Sequence, residues 1–115
     1  MFDFEKLDLY QELKKMNLMV YKKIPTISGI DPYIIEQWKH ASLSSLLNLA
    51  EGTGRMTPTD KQHFYTLSRG SIFECVALVE LTKELGFLTK EEYEEFYLGY
   101  EKVSKMLLGM YRSQS

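Results

Sequence analysis

The chain predicts an all-α fold, an antiparallel up-down-up-down four-helix bundle that occupies residues 1–115 as a single domain. Three observations lead there. Four segments carry apolar residues at steps of three and four, the spacing of one helix face. Prolines and glycines fall almost only between those segments, at Pro25, Pro32, Pro58, Ser28-Gly29 and Gly52-Thr53-Gly54. No stretch of any length alternates with period two, so a sheet is not expected. The connections are short, which makes consecutive helices antiparallel neighbours.

The first helix opens at Asp8, which with Gln11 resembles a capping box, and runs to about Ile24 before Pro25 stops it. Its buried stripe is Leu9, Leu13, Met16, Val20 and Ile24; Phe2 and Phe4 precede the cap and are expected to fold back onto the bundle. Asp31 before Pro32 is a capping residue followed by proline at the first helical position. The second helix then turns Ile34, Trp38, Ala41, Ser45 and Leu49 inward, and Gly52 lies where a left-handed residue would end it. Thr57, Pro58 and Asp60 open the third helix in the same way. Its inner face reads Phe64, Leu67, Ser71, Cys75, Leu78 and Leu85, with Gly86 as the stop. Thr89 and Glu92 cap the fourth, whose stripe is Tyr93, Phe96, Tyr100, Val103, Leu107 and Tyr111. Glu91, Glu92, Glu94 and Glu95 suit the positive end of its dipole.

At 115 residues the chain can bury a core without disulfides or a structural metal. Its single cysteine, Cys75, excludes an intramolecular disulfide and any multi-cysteine metal site, and its place on the inner stripe is that of an inert buried thiol. No apolar run reaches the length of a bilayer span, and Asp3, Glu5 and Lys6 interrupt the hydrophobics at the start. A cytoplasmic protein with no membrane partner is expected. Fourteen basic residues stand against 16 acidic ones, a net charge of −2, so a monomer lacks the broad positive field of a dedicated nucleic-acid binder.

Some residues exceed the needs of a bundle. Ala41, Ser42, Ser44 and Ser45 crowd the second helix, and Ser68, Gly70 and Ser71 the third. A glycine inside a helix costs about 1 kcal/mol relative to alanine, so Gly70 calls for a reason. Close approach of two helix backbones is the plain one; a site that needs main-chain access is the other. Leu43, Leu47 and Ala50 lie opposite the core stripe of the second helix, where a monomeric bundle would be polar. Phe73 and Ala77 do likewise on the third helix, and Leu18 and Met19 on the first. Leu43, Leu47 and Phe73 are the candidates for a subunit interface. Glu51, Arg55, Arg69 and Glu74 read either as a network that fixes the turn between helices two and three, or in part as a surface for phosphate. In the second case Arg55 and Arg69 act with Lys39, His40 and Lys61.

Catalytic machinery is not evident. Gly52-Thr53-Gly54-Arg55 follows a helix and lacks the Gly-Lys-Ser/Thr ending of a phosphate loop. His40 and His63 fall on different helices, with no Glu-x-x-His pair of the kind di-iron bundles use. No catalytic, cofactor or metal residue is assigned, and an enzyme is not expected.

Read end to end, the chain resembles the small bacterial four-helix-bundle family of intervening-sequence proteins, whose genes lie in insertions within large-subunit ribosomal RNA genes and which carry a ribosomal-protein label. The residues that carry the resemblance begin with Phe4-Glu5-Lys6-Leu7, Tyr10-Gln11 and Val20-Tyr21. At the centre stand Asn48, Ala50, Glu51, Gly52, Gly54 and Arg55, followed by Arg69-Gly70-Ser71 and Glu74. Leu85-Gly86, Met106-Leu107 and Gly109 complete it. The chain departs from the family at Lys39 and His40, where arginine is usual, and at Ser45-Leu46, where an Ile-Pro pair is usual; the second change removes a helix kink. The resemblance implies assembly into rings, commonly pentamers. It also relates the chain to accessory subunits of reverse transcriptases in diversity-generating retroelements, which bind nucleic acid through a basic surface.

Two functions are therefore expected from different classes. One is a non-enzymatic homo-oligomeric scaffold or accessory that binds RNA or DNA through a local basic patch, with a partner protein such as a reverse transcriptase. The other is a protein-protein adaptor that touches no nucleic acid, which the net charge and the acidic start of the fourth helix favour.

Overall fold

Capping side chains and prolines open the second and third helices of the computed structural model, which describes residues 1–114. Asp31 accepts from the Tyr33 amide at 2.9 Å ahead of Pro32, and Thr57 accepts from the Asp60 amide at 3.1 Å ahead of Pro58. Each satisfies an amide that has no partner within its helix. The helices are α1 (Asp8–Lys23), α2 (Pro32–Gly54), α3 (Pro58–Glu84) and α4 (Lys90–Arg112). Short 3₁₀ turns cover Asp3–Lys6 and Ile24–Thr26. No strand occurs among the described residues.

Pairings between side chains establish the antiparallel order. Lys61 and Ser68 on α3 reach Thr53 and Ser45 on α2, and Gln62 and Arg69 reach Tyr111 and Ser104 on α4. Lys23 pairs with Glu92 at one end of α1, and Lys102 with Glu12 at 3.1 Å nearer the other. Between each two helices the residue numbers fall on one as they rise on the other: Lys61 and Ser68 against Thr53 and Ser45, Gln62 and Arg69 against Tyr111 and Ser104, and Glu12 and Lys23 against Lys102 and Glu92. The bundle measures 45 × 22 × 20 Å, the long axis being close to the length of α3.

The core is contiguous and draws on all four helices. On α1 the expected stripe of Leu9, Leu13, Met16, Val20 and Ile24 is buried throughout. On α4 Phe96, Tyr100, Val103 and Leu107 are buried, while Tyr111 is 40% exposed. The Thr89–Glu92 capping box forms as expected, with Thr89 N donating to Glu92 Oε1 at 2.9 Å and Glu92 N to Thr89 Oγ1 at 3.1 Å. Gly86 takes a left-handed φ of 89° beyond α3. There its amide donates to Lys83 O and that of Phe87 to Thr82 O, the two bonds of a Schellman ending.

Four expectations are corrected. Asp8 does not cap α1: it is the first residue of the helix, after the Asp3–Lys6 turn, and half-buried Leu7 holds the cap position without a side-chain bond. Phe4 folds back, 4.9 Å from the Tyr10 ring, but Phe2 stacks outside it and is 72% exposed. Gly52 does not end α2, which continues to Gly54, and has no left-handed φ. A Cβ there would lie 2.7 Å from Tyr65 Cε1 and 3.0 Å from Phe64 Cβ, so the glycine serves close packing on α3. The inner face of α3 is also rotated from the expected one. Tyr65, Ser68, Ser71, Ile72, Cys75, Val79 and Thr82 are buried, whereas Leu67 and Leu85 are exposed and Phe64 and Leu78 half-buried. Serines on α3 pack on α2 more closely than leucines could, and that contact sets the rotation.

Candidate interaction surface

The small residues of α2 and α3 meet in a hydrogen-bonded seam. Ser68 Oγ donates to Ser45 O at 2.6 Å, and Ser45 Oγ to Ser42 O at 2.7 Å. Ser71 Oγ lies 3.1 Å from Ser44 Oγ, and Asn48 Nδ2 donates to Ser44 O at 2.9 Å and to its Oγ at 3.0 Å. Ser71 thus links α3 to α2, while half-buried Asn48 bonds back to Ser44 within α2. Beside the seam, Gly52 admits the Tyr65 ring.

The charged residues at the turn close it from outside. Arg55 pairs with Glu51 at 2.7 Å and lies over the Phe64 ring, 4.4 Å from its centroid. Lys61 Nζ donates to Thr53 O at 2.8 Å, satisfying a carbonyl in the last turn of α2. The network reading of the turn therefore accounts for Glu51 and Arg55 but not for Arg69 or Glu74. Arg69 turns to α4, donating from Nε to Ser104 O at 3.2 Å with its guanidinium 4.8 Å from the Phe73 ring centroid. Glu74 is exposed and forms no ion pair among the described residues.

The five candidate phosphate contacts do not gather into one patch. Arg55 and Lys61 share the α2–α3 turn, and Arg69 lies farther along α3 against α4. Lys39, 3.8 Å from Glu36, and exposed His40 stand on α2 some 15 residues before Arg55, about 22 Å along the helix.

On the outside of α2, Leu43 and Leu47 are 42% and 56% exposed, with His40, Ser44 and Asn48 beside them. Ala50 is half-buried, as is Met19 on α1, while Leu18 is exposed. A further apolar surface is a shallow groove of about 350 Å³ between α3 and α4. Thr66, Arg69, Gly70 and Phe73 line it from α3, and Leu108 and Tyr111 from α4. Phe73 is 55% exposed. None of the described residues lies within 4 Å of where a Gly70 Cβ would stand, so close approach inside the bundle does not account for this glycine. Gly54 likewise has open space at the end of α2. Sequence reasoning missed the groove because it placed Tyr111 in the core; Leu108, off the α4 stripe, was the available signal.

Beneath these surfaces the core holds a polar cluster. Trp38 Nε1 donates to Tyr100 OH at 3.1 Å, and Tyr100 also bonds Cys75. Burial pushes the Cys75 thiol up to about 12, the Tyr100 bond pulling the other way and the Glu74 carboxylate adding to the rise. Burial likewise holds the Tyr100 phenol well above its ordinary value. The expected inert thiol is what the structure holds. No group of three His, Cys, Asp or Glu residues is placed to hold a metal among the described residues, and no described helix is long and apolar enough to cross a membrane.

These features define an all-α four-helix bundle whose distinguishing residues form a tight seam, the turn beside it and an open groove. The chain belongs to the 23S rRNA-intervening sequence protein family, whose model matches residues 5–109. A solved structure from Bacteroides thetaiotaomicron, described as a protein of unknown function from the S23 ribosomal protein family, superposes with a TM-score of 0.83. The match covers 90% of this chain and 97% of that one at 15% identity, and shows the shared fold. No curated protein matches the chain.

Proposed function

We propose that the protein is a non-enzymatic homo-oligomeric scaffold or accessory, assembled through its exposed apolar helix faces and meeting RNA or DNA through the cations near the α2–α3 turn. One observation carries the assembly: Leu43 and Leu47, a turn apart on the outside of α2, are about half exposed where a solitary bundle helix would be polar. Phe73 adds a second large apolar group on α3. The ring assembly implied by the family resemblance agrees with such a surface. Repetition around an assembly would multiply a modest cationic site and partly offset the acidic monomer.

Light scattering coupled to size exclusion tests the assembly. The unaltered protein is expected to run at a multiple of 13.5 kDa, and Leu43→Glu with Leu47→Glu as a folded single chain. A single-chain mass for the unaltered protein would sink the reading. Fluorescence anisotropy with a labelled structured RNA and a matched DNA, at low and physiological salt, tests the nucleic-acid contact. Binding should weaken steeply with salt and with Arg55→Ala.

A protein-protein adaptor with no nucleic-acid contact is the second reading. It draws on the net charge of −2 and on Lys61 and Arg69 being occupied by backbone carbonyls. Absence of binding at low salt would favour it.

A further inference from the structure

Arg69 and Gly70 sit side by side in the hollow between α3 and α4, and the packing of the bundle explains neither. A glycine inside a helix costs stability, and none of the described residues lies within 4 Å of where its Cβ would stand. What the glycine leaves is bare helix backbone facing the hollow. Arg69 is half-buried and is the only charged residue among the described residues that line it. Its Nε donates to Ser104 O at 3.2 Å and its guanidinium carbon lies 4.8 Å from the Phe73 ring centroid, so the group is held by one edge and by the ring. Its terminal amino groups meet no carboxylate among the described residues. A cation partly withdrawn from water against apolar walls is complemented by an anion. Those walls include Leu107, Leu108 and the rings of Tyr65, Phe73 and Tyr111. At about 350 Å³ the hollow falls at the small end of the range of small-molecule sites, roughly 300–1,000 Å³. Past Phe73 the surface continues into a smaller hollow of about 190 Å³ whose charged member is Glu101, so the positive character is confined to the first.

We infer that this hollow is a binding site for a small aromatic carboxylate, its ring laid over Gly70 and its carboxylate forked by the terminal amino groups of Arg69. A guanidinium donates two parallel bonds to a planar carboxylate, and one cation matches one negative charge. Ser104 O and the Phe73 ring already fix the arginine, so little freedom is lost when the anion arrives. A flat apolar body stacks on the Phe73 and Tyr111 rings, and the missing side chain at Gly70 lets it reach the helix. The site draws on Phe73 but not on Leu43 or Leu47, and it is complete within one chain. It therefore neither requires nor forbids assembly through α2.

Titrating the isotope-labelled full chain with naphthoate, followed through backbone amide shifts, tests the site. Saturable shifts are expected at Thr66, Gly70 and Leu108. Naphthamide, which has the same rings and no charge, should bind at least about tenfold more weakly, the worth of a charge-assisted hydrogen bond. Arg69→Gln should cost naphthoate a similar factor and leave naphthamide unaffected, a difference that a merely structural arginine would not produce. Gly70→Leu should remove the binding of both; the space there is open, so the bundle should fold, as circular dichroism and thermal melting would verify. Equal affinity for the acid and the amide, shifts centred away from Gly70, or undiminished binding by Gly70→Leu would overturn the site. So would the absence of saturable shifts at millimolar naphthoate. Neither the mass of the unaltered protein nor its nucleic-acid binding enters these outcomes, so the site can fail while the proposed function stands.

Discussion

Along one flank of α3, Ser68 and Ser71 lie against α2 and exchange hydrogen bonds with Ser45 and Ser44; along the other, Gly70 and Phe73 face a groove that α4 leaves open. Both flanks carry the small residues that mark close helix packing in a sequence. At the seam, smallness lets two backbones approach until a hydroxyl reaches a carbonyl across the gap. At the groove, it leaves a notch that none of the described residues fills. A small residue in a helix therefore signals proximity to something, and the fold decides whether that partner lies within the same chain.

Substitutions should separate the flanks by both size and sign. The largest effect is expected at Gly52, where the Tyr65 ring already occupies the space of a Cβ. Gly52→Leu should destabilise the bundle by about 3 kcal/mol, read from chemical denaturation. An unchanged midpoint would show that α2 and α3 can part there without loss. Next comes Ser68→Ala, which removes a fully buried hydroxyl and its 2.6 Å bond to Ser45 O, and should cost about 1 kcal/mol. On the open flank the sign reverses. Gly70→Ala meets no neighbour and replaces a poor helix former with the best one, so it should stabilise the folded chain by up to about 1 kcal/mol. A destabilised Gly70→Ala measured at low concentration would mean that the groove is closed in solution.

The smallest effect lies away from α3, at the Lys23–Glu92 pair that ties α1 to α4. Chiefly its bond from Lys23, and then the Thr89 backbone bond, hold the Glu92 carboxyl below its ordinary value. Its stabilising contribution is therefore present above the ordinary carboxylate range and is lost as pH falls through the lower folded value. The pair is partly exposed, so Glu92→Gln should cost only about 0.5 kcal/mol near neutrality, and should flatten the acid side of the stability profile. An acid limb of unchanged slope would assign that pH dependence to other carboxylates.

Legibility of the sequence followed the clarity of each helix's two faces. On α4 the Thr89–Glu92 capping box fixes the start, and Phe96, Tyr100, Val103 and Leu107 stand apart from a charged outer face, so the buried stripe could be read directly. The same held for α1, although Leu7 rather than Asp8 occupies its cap because the preceding 3₁₀ turn brings the chain in at that point. For α3 the pattern was ambiguous. Leu67, Phe73, Leu81 and Leu85 are apolar and exposed, while Ser68 and Thr82 are polar and fully buried, so hydrophobicity alone selected a face rotated from the true one. Among the candidate site residues, Leu43, Leu47 and Phe73 were correctly placed outside. The cations were not separable, since the partners of Lys61 and Arg69, the Thr53 and Ser104 carbonyls, are backbone atoms brought near only by folding.

By itself the sequence determined the four helices, most of their boundaries, their order and the apolar residues that build α1 and α4. Those follow from local rules, the periodicity of a helix and the hydrogen bonds of its ends, which act over a few residues. Only the tertiary structure decided the rotation of α3, the use of Gly52 as a contact and Gly70 as an open notch, and the separation of the five cations. Each depends on how closely two helices approach, and that distance is set jointly by side chains on both of them.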